Sequence, residues 1–373
     1  YLRQLLDWKN VLYQPVDGLL KVDGFREYNY LVDVNKIFST SPRGELVDRT
    51  CKIKMPWNFK VLRPWQKPGP VQNINDVFAS RVKYYTEKNC IINLFWSGGA
   101  DSTAMTVAFL KHSSNIDQLQ LVYSPYSLYE NQEFFDFVIK RFPNLKTLDI
   151  SGETYLNTYF NGIVVTGHGG DEFTASLDDT FFAQVGPSGL KNTWQDFFYK
   201  VSKDQSLIDF CEDYFSKATR PINTVLEARW WFYALNKSQI FGPRDMGFML
   251  NQPCMSLSKF SSFFDCQEFE DYIYHNLNKI VDPDGDYTTY KKFLRHYIHD
   301  FYPNIDYLNN TAKINSMQFQ FYRLKKTELL DLHWIFILED SSVVRTKNLP
   351  LFSKKEFDAQ YGNSLDYLFN NPK

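Results

Sequence analysis

Two rhythms of apolar and polar positions run along the chain. From about residue 76 to about residue 190, short apolar runs alternate with stretches of helical spacing. Ile91-Ile92-Asn93-Leu94-Phe95-Trp96 is nearly continuous in apolar residues, the pattern of a strand covered on both faces. Residues 101–112 then show helical spacing, with Ala104, Met105, Val107, Ala108 and Phe109 on adjoining faces. Leu119–Ser124 predicts a second strand. Glu133–Phe142 predicts a helix, with Phe134, Val138 and Phe142 in line. Leu145–Ile150 and Gly162–Thr166 predict a third and a fourth strand. Strand-helix-strand order at this spacing predicts an α/β fold with a parallel sheet and right-handed crossovers.

On either side the rhythm changes. Residues 1–75 read as a strand-rich N-terminal region. Val16–Gly24 carries two Asp-Gly turn signals, and Tyr28–Val34 and Cys51–Met55 are further strand candidates. Pro64–Pro70 holds three prolines and a glycine and reads as a linker, so a boundary is expected there. Beyond residue 190 the strands are expected to stop. Segments 193–217, 223–240, 267–280, 287–301, 320–338 and 354–369 all read as helices. The expected organisation is 1–75, an α/β core over 76–190, and a helical part over 191–373.

The first strand of the α/β core runs straight into Ser97-Gly98-Gly99-Ala100-Asp101-Ser102 and a helix. Two glycines let backbone approach a ligand without side-chain interference. The helix that follows presents N–H groups and the positive end of its dipole, a site for phosphate. Ser97, Ser102 and Thr103 add hydroxyl donors. Asp101 would repel phosphate unless a Mg²⁺ ion lies between them. The loop lacks the G-x-x-x-x-G-K-[ST] pattern of the Walker type.

Ser-Gly-Gly-x-Asp-Ser after a strand resembles the pyrophosphate loop (PP-loop) of the ATP pyrophosphatases, which include asparagine synthetase, GMP synthetase, NAD synthetase and tRNA-lysidine synthetases. The fourth strand ends in Gly167-His168-Gly169-Gly170-Asp171-Glu172, similar to the S-G-x-G-x-D-E segment of asparagine synthetase and the T-G-x-G-x-D segment of β-lactam synthetase. A third stretch, Phe263-Phe264-Asp265 through Lys291-Lys292-Phe293-Leu294-Arg295 to Lys313, is similar in order and approximate spacing to the family's P-F-L-D and R-x-K-x-x-F segments. The resemblance covers roughly residues 76–325 and implies a nucleotide α-hydrolase-like domain that the helical part completes. It implies ATP held by Ser97, Gly98, Gly99, Asp101, Ser102, Thr103, Gly167 and Gly169. It further implies Mg²⁺ on Asp101 and Asp171, with Lys313 as the catalytic lysine. The activity implied is adenylation of a substrate carboxylate or similar oxygen, release of pyrophosphate, and transfer of the acyl group to ammonia or an amine.

The chain also departs from that family. His168 stands where asparagine synthetase has Glu and β-lactam synthetase has Tyr. Either it acts as a near-neutral base at the acceptor amine, or it only hydrogen-bonds the loop. No glutaminase half is expected, because the only early cysteine is Cys51 and the region is too short, so ammonia would come from a separate source or the amine from the substrate. The short Ser151–Asn161 connection argues against assuming an acidic substrate. Ser258, Lys259 and Phe260 replace the family's E-x-R, and Lys259 reads as an ordinary surface lysine or a second phosphate contact.

Composition adjusts this only at the margins. Of 373 residues, 41 are Lys or Arg and 43 Asp or Glu, for a net charge of -2, which argues against dominant non-specific nucleic-acid binding. A nucleotide or nucleic-acid base as acceptor stays open. Thiolation is disfavoured, since the five cysteines form no C-x-x-C pair. A pseudoenzyme that binds nucleotide for regulation is the non-enzymatic alternative. No apolar run reaches the roughly 20 residues of a membrane span, and Tyr1–Asn10 lacks a signal-peptide core, so no membrane partner is expected and the cytoplasm is the expected location. Aromatic residues make up 17%, which reflects either codon bias or an aromatic-lined pocket. Trp96, Tyr123 and Tyr126 are the aromatics expected near the site. Trp230-Trp231 reads as core, and His296 and His299 lack a third ligand for zinc.

Overall fold

The computed structural model describes residues 11–14, 21, 24–38, 46, 48–54, 64–150, 160–170, 179–236, 259–281, 291–310, 333–337 and 343–347. In chain order the elements are β1 (Val11–Gln14), α1 (Arg26–Phe38), α2 (Ile74–Thr86), β2 (Ile92–Phe95) and α3 (Ala100–His112). Next come β3 (Leu119–Tyr123), α4 (Pro125–Arg141), β4 (Lys146–Asp149), β5 (Ile163–Thr166) and α5 (Asp179–Leu190). They are followed by α6 (Trp194–Ser202), α7 (Gln205–Ser216), α8 (Val225–Asn236), β6 (Phe260–Ser262) and α9 (Gln267–Val281). The last are α10 (Lys292–His299), α11 (Ile305–Asn310), β7 (His333–Ile337) and β8 (Val343–Lys347). The chain divides into two compact units. One comprises Tyr1–Lys67, Asp178–Gly247 and Glu328–Lys373, and the other Pro68–Leu177 and Phe248–Thr327.

The second unit is α/β and holds a five-stranded sheet in the order β4-β3-β2-β5-β6, with every pairing parallel. The central strands are largely apolar because both faces are covered, with Asn93, Gln120 and Thr166 the polar exceptions. Ile92, Leu94, Leu121, Val164 and Val165 are all buried. α3 is buried along almost its whole length, from Ser102 to Leu110, and packs against α2 and α10. Much of the aromatic excess fills this core. Phe78 stacks on Tyr297 at 4.0 Å between ring centroids and meets Phe263 at 5.8 Å and Phe269 at 5.2 Å.

Among the described residues β6 lies at an edge of the sheet, and α2 ties it down. The Arg81 guanidinium donates to the carbonyls of Phe263 and Ser262, each at 2.9 Å. The Tyr85 hydroxyl lies 2.6 Å from the Ser261 hydroxyl. Arg81→Met is expected to lower the unfolding free energy by roughly 2–3 kcal/mol, since it strips a charged donor from two carbonyls. Arg81→Lys should recover only part of this, because one ammonium cannot reproduce the planar fork. Urea denaturation of the three proteins checks the order.

The first unit differs from the expectations for its segments. Tyr28–Val34 is not a strand but part of α1, which buries Tyr28, Leu31, Val32, Asn35 and Phe38 at helical spacing against α6 and α7. Cys51–Lys54 is not a strand either. It belongs to a turn around the buried Asp48 carboxylate, which accepts from the backbone N–H of Thr50, Lys52 and Ile53 at 3.0, 2.9 and 2.7 Å. Strands do continue after residue 190. β6 joins the parallel sheet, and β7, inside a segment expected to be helical, pairs antiparallel with β1 and β8. Expected elements at 16–20, 239–240 and 354–369 lie outside the described residues.

Within that unit α8 is buried except at Glu227. Trp230 and Trp231 are core residues, and Trp65 meets Trp231 edge-on at 4.9 Å. Arg229 is buried beside them, its guanidinium 3.9 Å from the Phe181 ring centroid and bonded to the Phe38 carbonyl. Among the described residues no helix is long and apolar enough to cross a membrane.

Candidate functional site

β2 and β5 lie side by side in the sheet, with Phe95 paired to Thr166 at their carboxyl ends. The chain reaches β3 and β4 on one side of β2 and returns to β5 and β6 on the other. This is a topological switch point, where open parallel sheets bind ligands beyond their carboxyl ends. Both glycine-bearing loops leave the sheet there. Ser97–Asp101 follows β2, and Gly167–Gly170 follows β5.

The first loop is closed by its own hydroxyls. The Ser97 N–H donates to the Ser102 hydroxyl at 3.0 Å, and that hydroxyl donates to the Gly99 carbonyl at 3.1 Å. The Thr103 hydroxyl donates to the Gly98 carbonyl at 3.3 Å and accepts from the Trp96 indole at 2.9 Å. Thr103 and Trp96 are both buried, so they brace the loop from beneath. Gly98 needs to be glycine, with φ of 87° and the Ser127 carbonyl 2.6 Å from where a Cβ would stand. Gly99 caps α3 with no side chain bonded over the first-turn amides.

One wall comes from the start of α4. Ser124 and Ser127 form a reciprocal capping box with Pro125 at the first helical position, which sets the helix immediately after β3. A kink at Asn131 interrupts the helix, and the Asn131 side chain accepts the Phe134 N–H at 3.2 Å. Just before the kink, Glu130 lies over the loop, with its Cβ 2.8 Å from a Cβ placed on Gly98. Tyr123, at the end of β3, packs on Phe135 at 4.7 Å, and Tyr126 is half-buried.

The second loop fits against the first with no room to spare. A Cβ on Gly167 would stand 2.6 Å from the Ser102 nitrogen, and one on Gly170 would run into the Asp101 carboxylate. Gly169 has φ of 87° and packs against Phe264. His168 between them is half-buried. The Asp101 carboxylate is therefore held between α3 and Gly170, and there it forms an ion pair with the Lys291 ammonium. Lys291 stands at the N-cap of α10 and is buried.

Below the loop, Tyr307 of α11 is buried and its hydroxyl bonds the Thr103 side chain. Its pKa is pushed up to about 12, with burial the largest cause. Arg295 and the Thr103 bond pull it down, while Glu130 and Asp101 push it further up.

Of the residues expected from sequence, Ser97, Gly98, Gly99, Asp101, Ser102, Thr103, Gly167, His168 and Gly169 gather at these two loops. Asp171 and Lys313 lie outside the described residues. Lys291 and Glu130 were missed as site residues. Lys291 sits in the third stretch of the resemblance, which was a usable signal, whereas Glu130 had none beyond the Ser-Pro start of its helix. Among the described residues no group of three or more His, Cys, Asp or Glu side chains is arranged to hold a metal ion. Asp101 still suits a cation, since its carboxylate already faces a positive charge in a slot only glycine at position 170 leaves open. No protein-family model matches the chain, and no curated protein matches it in sequence.

Proposed function

We propose that this chain is an ATP-dependent, AMP-forming ligase of the asparagine-synthetase-like kind, built on a PP-loop domain. The observation that carries this reading is the placement of two glycine loops at the ends of adjacent parallel strands, with the Asp101 carboxylate between them. The Ser97–Ser102 loop receives the departing pyrophosphate at the N-terminus of α3, where backbone N–H groups and the helix dipole favour an anion. Asp101, with Asp171, would hold Mg²⁺, which when bound would offset phosphate charge. A substrate carboxylate or similar oxygen attacks the α-phosphate of ATP, forming an adenylate and freeing pyrophosphate. Lys313 stabilises the charge that develops. Ammonia or an amine then attacks the acyl carbon, with His168 as the base, and AMP leaves as the amide forms.

The test is ATP–pyrophosphate exchange against pooled carboxylates and nucleotides, followed by AMP release on adding ammonia or amines. Exchange with at least one pool, lost in Asp101→Ala, is the expected result. Equal signals from both proteins with every pool overturn the reading.

A further inference from the structure

The Lys291 side chain is only 4% exposed, against 20% for its partner Asp101. Three local factors oppose a lysine at this position. Its backbone is left-handed, with φ of 55° and ψ of 30°, a region that residues with a Cβ avoid. It caps the N-terminus of α10, where the helix dipole disfavours a cation. Its ammonium is removed from water, which requires a countercharge. The Asp101 carboxylate supplies that countercharge from 190 residues away in the sequence. The cation is thus placed on the Asp101 carboxylate, which lies against the second glycine loop.

We propose that Lys291 stands in for the divalent cation in the nucleotide-free protein. Its ammonium occupies Asp101, so the metal enters only together with the nucleotide, whose phosphates then take over the lysine. The unfavourable dipole weakens the hold on the ammonium, so phosphate oxygens compete for it effectively. Metal binding without substrate is thereby suppressed, and so is idle hydrolysis. This inference rests on the reading of Asp101 as a metal ligand.

Mn²⁺ binding followed by electron paramagnetic resonance tests it without any turnover. In the absence of nucleotide, Lys291→Met and Lys291→Gln are expected to bind Mn²⁺ about tenfold or more tightly than the wild type, the scale of displacing a partly buried ion pair. Adding Asp101→Asn to either variant should remove the gain. Circular dichroism confirms that each variant is folded, and the two replacements differ enough in polarity that one serves if the other fails. No gain in the folded variant, or a gain that survives Asp101→Asn, overturns the proposal. A parallel arm with α,β-methylene-ATP separates the two readings. If the wild type takes up no Mn²⁺ with this analogue, the ligase reading falls with the proposal. If it takes up Mn²⁺ with the analogue but the variants gain nothing without it, only the proposal falls.

Discussion

Asp101→Asn is expected to reduce ATP–pyrophosphate exchange by about 10³-fold, the scale of losing a charged group that acts on a transferring phosphate. The replacement keeps the shape of the side chain in the slot beside Gly170 and removes its charge. It also removes the carboxylate charge that the buried Lys291 ammonium faces. Breaking such a pair on one side is more harmful than removing both members, so the single variant should also lose roughly 2 kcal/mol of stability, discounted for the partial exposure of Asp101. Asp101→Asn/Lys291→Met should regain most of that stability and none of the exchange activity. The pair of measurements, urea denaturation and exchange, divides the electrostatic role of Asp101 in the fold from its role toward phosphate. Full exchange activity in Asp101→Asn would remove the basis for the proposed function.

Gly167→Ala should be among the most damaging single methyl additions at the site. Its Cβ would stand 2.6 Å from the Ser102 nitrogen, 2.7 Å from the Ser102 Cα and 2.9 Å from the Asp101 carbonyl carbon. All three are backbone atoms of the first turn of α3, and they cannot rotate away as a side chain could. Either β5 parts from α3 or the helix start shifts, at about 3 kcal/mol of stability. A shift of the helix start also moves the Ser97–Ser102 loop, so ATP affinity should fall with stability. Gly186 makes a useful comparison. It has φ of 69° and ψ of 168°, a region that essentially only glycine enters, but nothing within 4 Å of where a methyl would stand, so Gly186→Ala should cost only the backbone term, roughly 1–3 kcal/mol. Denaturation midpoints of the two variants test whether contact or conformation sets the penalty. A Gly167→Ala protein as stable as the wild type would mean that the two loops do not meet as described.

The site was legible where its signal is local. Ser97–Ser102 needs glycine at a left-handed position and small hydroxyl residues that close the loop on itself, and both demands are written within six consecutive residues. The same holds for Gly167–Gly170, where lack of a side chain is what the neighbouring helix requires. Errors fell where the pattern was ambiguous or the partner distant. Tyr28–Val34 mixes polar and apolar residues in a way that suits either period, and the buried set from Tyr28 to Phe38 emerges only over three turns. Trp334–Leu338 is apolar at every position, so it shows no period at all, and pairing of His333–Phe336 with Gln14–Val11 decided for a strand. Phe260–Ser262 is too short to announce itself, and its strand character comes from β5 and from Arg81 of α2.

By itself, then, the amino-acid order determined the alternation of strand and helix through the α/β core and the two loops that leave it, because each rests on contacts between residues close in the chain. The tertiary structure alone decided that β5 lies beside β2, that β6 closes the edge, and that Lys291 rests on Asp101. These are choices among partners far apart in sequence, made by burial and by the need of a buried charge for its opposite, and neither leaves a periodic mark on the chain.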